Sequence, residues 1–101
     1  MDLSAGSRWR SAVDTTEVIV VRPPTTETDL ECGGVLMVPV ATDPPGGTIS
    51  AAHNAGTALG KRYVDDGAGL ELLCTKPGEG SLSVAGRPLV LKEAKALPSS
   101  D

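Results

Sequence analysis

The residue types in this chain best able to do chemistry are two thiols, one imidazole and a carboxylate pair: Cys32, Cys74, His53 and Asp65-Asp66. Cys32 sits in Glu31-Cys32-Gly33-Gly34, between apolar residues, where a metal-binding knuckle would sit. Such a knuckle normally carries two thiols, and this one carries a single cysteine. A tetrahedral site needs four donors, and the only associates on offer, Cys74, His53 and Asp65, stand at spacings that fit no metal site. A thiolate needs a basic neighbour, and nothing basic flanks Cys32. The expectation is a passive thiol there and a small buried hydrophobe at Cys74. His53 is the only histidine. It lies in a Gly- and Ala-rich stretch with no partner that would orient it for acid–base or nucleophilic work, so it reads as a solvated loop residue.

Two further motifs dissolve on inspection. Gly56–Lys61, GTALGK, is one residue short of a phosphate-binding loop and is followed by Arg62 where a hydroxyl residue is required. Asp65-Asp66-Gly67 lacks the regularly spaced oxygen donors that a Ca²⁺ loop supplies, and reads as an acidic turn. No nucleophile, base and oxyanion donor stand at a recognisable spacing, so an enzyme is not expected.

The elements that would position these residues are strands. Glu17–Arg22, EVIVVR, is β-branched, too short for a helix and stopped by Pro23-Pro24. LEC (30–32) and VLMVPV (35–40) flank Gly33-Gly34 and predict a hairpin. KRYV (61–64), LELLCTK (70–76), SLSV (81–84) and RPLVLKE (87–93) continue the β pattern, with Pro77-Gly78 fitting the centre of a type II turn. Alternation puts Leu82 and Val84 on one face and Ser81 and Ser83 on the other.

Residues 11–40 lie over 63–92 at an offset of 52 without a gap: Leu30 meets Leu82, Gly34 meets Gly86 and Val38 meets Val90. The expected architecture is therefore all-β, two tandem β-hairpin lobes packed into one domain. The first lobe with its N-terminal arm spans 1–40, a Pro/Gly-rich connector 41–60, the second lobe 61–93 and a polar tail 94–101.

The second copy resembles the desulforedoxin-like domain, also found at the N-terminus of desulfoferrodoxin. Tyr63, Gly69, the strand LELLC, Gly78, Gly80, Leu82, Gly86 and Leu89 fall on that pattern, and Leu30, Cys32, Gly34 and Met37 match its end in the first copy. The resemblance implies a rubredoxin-like fold and eight thiolate places. Those places hold Asp65, Ala68, Val84 and Ala85 in the second copy, and Val13, Thr16, Cys32 and Gly33 in the first. One cysteine in eight places cannot build the family's iron centre. No metal or other cofactor is expected, and Gly34 and Gly86 read as kept for positive φ.

Composition bounds the rest. The chain has 101 residues, no Phe, one Trp, one Tyr and a net charge of −4, without the clustered Lys and Arg that nucleic acid demands. No apolar window is long enough to span a bilayer, and the N-terminus lacks the apolar core of a secretory signal, so a cytoplasmic protein is expected. A structural metal supplies on the order of 10 kcal/mol to a small fold, and its loss must be offset by fusion or by a partner. The sequence thus favours a non-catalytic accessory or adaptor subunit that binds a larger protein, expected to be an enzyme, with the oligomeric state left open. Its candidate contact residues are Arg8, Trp9, Arg10, Cys32 and Met37, Trp and Arg being enriched at interface hot spots. Two alternatives stay open: a metal or redox protein using Cys32 and Cys74, and a small-molecule binder between the lobes.

Overall fold

The computed structural model describes residues 1–92; the tail assigned to 94–101 lies outside them. The described chain contains ten strands, one short 3₁₀ turn and no α-helix: β1 (Arg8–Arg10), β2 (Glu17–Arg22), β3 (Leu30–Cys32), β4 (Val35–Leu36), β5 (Val38–Pro39), the 3₁₀ turn Ala51–His53, β6 (Arg62–Asp65), β7 (Leu70–Lys76), β8 (Leu82–Val84), β9 (Arg87–Pro88) and β10 (Val90–Leu91). The all-β expectation is met. All pairings are antiparallel. They form a six-stranded sheet, β10-β6-β7-β2-β1-β5, and a four-stranded sheet, β4-β3-β8-β9.

Both orders read the same when the halves are exchanged, β1 for β6, β2 for β7, β3 for β8, β4 for β9 and β5 for β10. The registers agree with this pseudo-dyad. In the small sheet Glu31 faces Ser83, with Leu30 on Val84 and Cys32 on Leu82. In the large sheet Ile19 faces Leu73, with Val18 on Cys74 and Val20 on Leu72. The dyad thus passes between β3 and β8 and between β2 and β7, and each sheet contains strands of both halves.

The spacing of the repeat is not uniform. From β3 onward the offset is 52, but Trp9, paired with Val18 and Pro39, corresponds to Tyr63, paired with Leu72 and Leu91, an offset of 54. The loop 23–29 between β2 and β3 is two residues longer than 77–81 between β7 and β8. An ungapped alignment therefore sets the first strands of the repeat two residues out of register.

The sheets enclose one core to which both halves contribute equivalent side chains: Trp9 and Tyr63, Leu30 and Leu82, Met37 and Leu89. Alternation explains most of it, since Val18, Val20, Leu70, Leu72 and Cys74 are almost wholly buried and share the inner face. Ser83 lies with Glu31 on the face opposite Leu82 and Val84, as alternation expects. It is nonetheless fully buried, and its hydroxyl has no hydrogen-bond partner among the described residues.

Three further expectations are corrected. Arg8–Arg10 is a strand rather than part of an arm, because β2 and β5 flank it on both sides. The runs 35–40 and 87–93 each break at one residue, Met37 and Leu89, where the chain passes from the small sheet to the large one. Pro77-Gly78 is not a type II turn: Gly78 is absent from the positive-φ residues, and its place is fixed by crowding. A Cβ there would stand 2.3 Å from Thr16 Oγ1 and 2.8 Å from Thr16 N. The positive φ expected at Gly34 and Gly86 is present, at 83° and 78°.

Candidate functional site

The two-residue turns Gly33-Gly34 and Ala85-Gly86 join β3 to β4 and β8 to β9 with positive φ throughout, the type I′ form that suits right-twisted hairpins. Opposite each turn lies the loop that follows the first strand of its repeat. With the corrected spacing, the first-copy knuckle places fall on Ser11 and Asp14 rather than Val13 and Thr16, equivalent to Asp65 and Ala68. The local bonding agrees. Ser11 Oγ accepts from Asp14 N at 3.1 Å, and Asp65 Oδ2 accepts from Ala68 N at 3.0 Å.

Both loops are tied by a carboxylate. Asp14 accepts from Thr16 N at 3.0 Å, from Thr16 Oγ1 at 3.1 Å and from Gly80 N, the last across the two halves of the chain. Thr16 Oγ1 also contacts Thr57 Oγ1 at 3.0 Å, whose hydroxyl accepts from Gly78 N at 3.1 Å. Burial pushes the Asp14 carboxyl up, but donation from Ser11, Gly80 and Thr16 outweighs it and holds the group below its ordinary range. In the second copy the Arg87 guanidinium donates to Asp65 at 2.9 and 3.4 Å. That bond, helped by Ala68 N against burial, holds Asp65 low as well.

These residues do not fit a metal centre. Of the eight places, now Ser11, Asp14, Cys32, Gly33, Asp65, Ala68, Val84 and Ala85, one is a thiol and two are carboxylates, and those carboxylates are engaged by protein donors. Among the described residues no group of three or more His, Cys, Asp or Glu is placed to hold a metal ion. Cys32 is fully buried, and burial pushes its thiol up to about 11. Cys74 is raised by burial too, with its Sγ 3.2 Å from the Lys76 carbonyl. Neither thiol is poised as a nucleophile at neutral pH. His53 is half-buried: its carbonyl accepts from Ser81 N at 2.9 Å, and its ring would lie 3.3 Å from a Cβ at Gly34.

The residues expected to make contacts divide by exposure. Trp9, Cys32 and Met37 belong to the core; Trp9 Nε1 donates to Ser7 Oγ at 3.0 Å. Arg8 is exposed and Arg10 half-buried, both on β1 inside the large sheet.

The outermost strands carry features that sequence reasoning missed. Each sheet ends in one strand from each half, so every edge position has an equivalent on the opposite edge. In the large sheet, Lys92 N donates to Arg62 O at 2.8 Å and Val40 N to Arg8 O at 3.1 Å. Residues 91 and 39 are therefore the non-hydrogen-bonded members of their pairs, and their backbone groups point away from the sheet. One is Leu91, with an N–H to offer; the other is Pro39, with none. In the small sheet Met37 N bonds Leu30 O and Leu89 N bonds Leu82 O, each at 3.0 Å, which turns residues 36 and 88 outward. These are Leu36 and Pro88. Among the described residues, each sheet is thus blocked by proline at one edge and open at the other.

The open positions are also apolar, Leu36 being 47% and Leu91 50% exposed, with Val90 at 59% beside the latter. Val21 and Leu59 are the other large exposed hydrophobics among the described residues. The structure also holds a cleft of about 360 Å³ between the N-terminal residues and the loop 23–27, where the Met1 amine donates to Glu27 at 3.2 Å.

No protein-family model, curated protein or solved structure matches this chain.

Proposed function

We propose that this chain is a non-catalytic accessory or adaptor protein of the cytoplasm, a metal-free desulforedoxin-like scaffold that docks a larger protein through its strand edges. The observation that carries the reading is the pair of open edges, where Leu36 and Leu91 present both an outward N–H and an exposed apolar side chain. Exposed unpaired edges are hazards that proteins usually block, and the equivalent positions here are blocked by Pro88 and Pro39. Leaving two of four edges open suits strand addition by a partner.

Supporting this, Asp14 and Asp65 close the loops that thiolates and metal close in the resembled family, so the scaffold needs no ion. The competing thiol reading is weakened by the burial and raised pKa of both cysteines.

Isolation of the protein from its host at native expression, followed by mass determination of the intact assembly, tests the proposal. A complex with a larger protein is expected, and a 10.3 kDa monomer overturns it. Stoichiometric iron or zinc in the protein purified under reducing conditions would overturn the metal-free part.

A further inference from the structure

The two open edges differ in their electrostatic surroundings, and the difference selects an occupant for one of them. On β10, Val90 and Lys92 share a face with Val64 and Arg62 of β6 and Glu71 of β7. Arg62 Nη1 and Lys92 Nζ both bond Glu71, at 3.1 and 2.9 Å. Two cations thus share one carboxylate that is itself only 4% exposed, while Arg62 and Lys92 are each about half exposed. Among the described residues, the face beside β10 therefore carries a surplus positive charge in a chain whose net charge is −4. On β4 the neighbour across the pair is Glu31.

Resting on the docking role proposed above, we infer that the β10 edge accepts an extended acidic segment of a partner protein as an added strand. Its backbone would bond the outward N–H and C=O of Leu91, its apolar side chains would lie beside Leu91 on the face that carries Tyr63, and its carboxylates, on the opposite face, would lie over Lys92 and Arg62. Cross-strand pairing favours opposite charges and penalises like ones. A second copy of this chain fits the same edge less well. Two β10 edges meeting about a dyad bring their surplus positive charges together. Pairing β10 with the β4 edge of another copy is a head-to-tail contact, which builds rings or filaments rather than a closed pair.

The test uses the full chain and a fluorescein-labelled seven-residue peptide of alternating valine and glutamate, with a lysine-for-glutamate version as control. Anisotropy is expected to show saturable binding of the glutamate peptide that weakens as salt rises and is at least tenfold weaker for the lysine peptide. The Leu91 amide should gain protection from hydrogen exchange. Leu91→Pro should abolish binding without unfolding the protein, because Pro39 already occupies the equivalent place; Leu36→Pro, at the other open edge, should leave binding unchanged. Equal binding of both peptides, or binding that survives Leu91→Pro in a folded protein, overturns the proposal. So does self-association that Leu91→Pro abolishes, which would make a second copy the occupant. The wider docking role is judged separately: a host assembly that persists in the Leu91→Pro variant removes this edge assignment and leaves that role standing, whereas a monomer in the host removes the role itself.

Discussion

Asp14 does with hydrogen bonds what a metal does with coordinate bonds: it gathers backbone from separate parts of the chain onto one anion. Hydrogen bonds to a charged acceptor are each worth about 1.5–3 kcal/mol, and a buried donor left unpaired costs a further fraction of that range. Asp14→Ala should therefore lower unfolding free energy by roughly 3 kcal/mol in urea titration, and Asp14→Asn, which keeps an acceptor, by clearly less. The carboxylates also set the acid limit. Asp14 is held low by its donors, Asp65 by Arg87 and Glu71 chiefly by Lys92. A group whose folded pKa is depressed adds stability above its unfolded pKa and loses it as pH falls through the folded value. The melting temperature should accordingly be level above about pH 5 and fall steadily below about pH 4, and Asp14→Asn should flatten that fall. Both cysteines should resist a thiol reagent in the native protein and react at the rate of global unfolding. This network was hidden in the sequence because a Ser-x-x-Asp stretch is ordinary turn chemistry. The signal that would have exposed it is its equivalence to Asp65-x-x-Ala68, visible only when the repeat is allowed a two-residue gap.

At the scale of elements, the apolar runs were legible because they are flanked by proline or glycine and are too short for helices. Residues 17–22, 30–32 and 70–76 fall where the pattern put them. Arg8–Arg10 was not legible: three residues with charge on both sides of Trp9 carry no strand signature, and only pairing with β2 and β5 makes them one. Runs 35–40 and 87–93 read as single strands because sequence alternation does not register a change of sheet. The turns were easier, and the less favourable one is open to improvement. Ala85 sits at φ 49°, where its counterpart Gly33 has no Cβ to accommodate. Ala85→Gly should stabilise by about 0.5–1 kcal/mol, since relief of left-handed strain exceeds the added chain entropy. Gly78→Ala acts in the opposite sense, forcing a methyl into Thr16 and Asp14, and should cost about 3 kcal/mol or prevent folding.

For the whole molecule, the pairings β2–β7 and β3–β8 make each half a structural part of the other. The core that composition describes as poor in aromatics is completed by placing Trp9 and Tyr63 at equivalent positions, each 8% exposed. Because neither sheet belongs to one half, unfolding should be a single cooperative transition with coincident far-UV circular dichroism and tryptophan fluorescence curves. The slowest hydrogen exchange should lie in β2 and β7. The duplication itself was readable from the ordered recurrence of apolar strand, glycine and apolar strand. Its symmetry was not, because a sequence offset says nothing of how two copies face each other.

The exchange of Leu36 and Pro39 in one half for Pro88 and Leu91 in the other has a consequence for how such a molecule can evolve. Were the same unit an ordinary homodimer, every rim residue would occur twice, and both margins of a sheet would be sealed or both receptive. Joining the copies in one polypeptide frees each rim to vary alone and gives the assembly a direction.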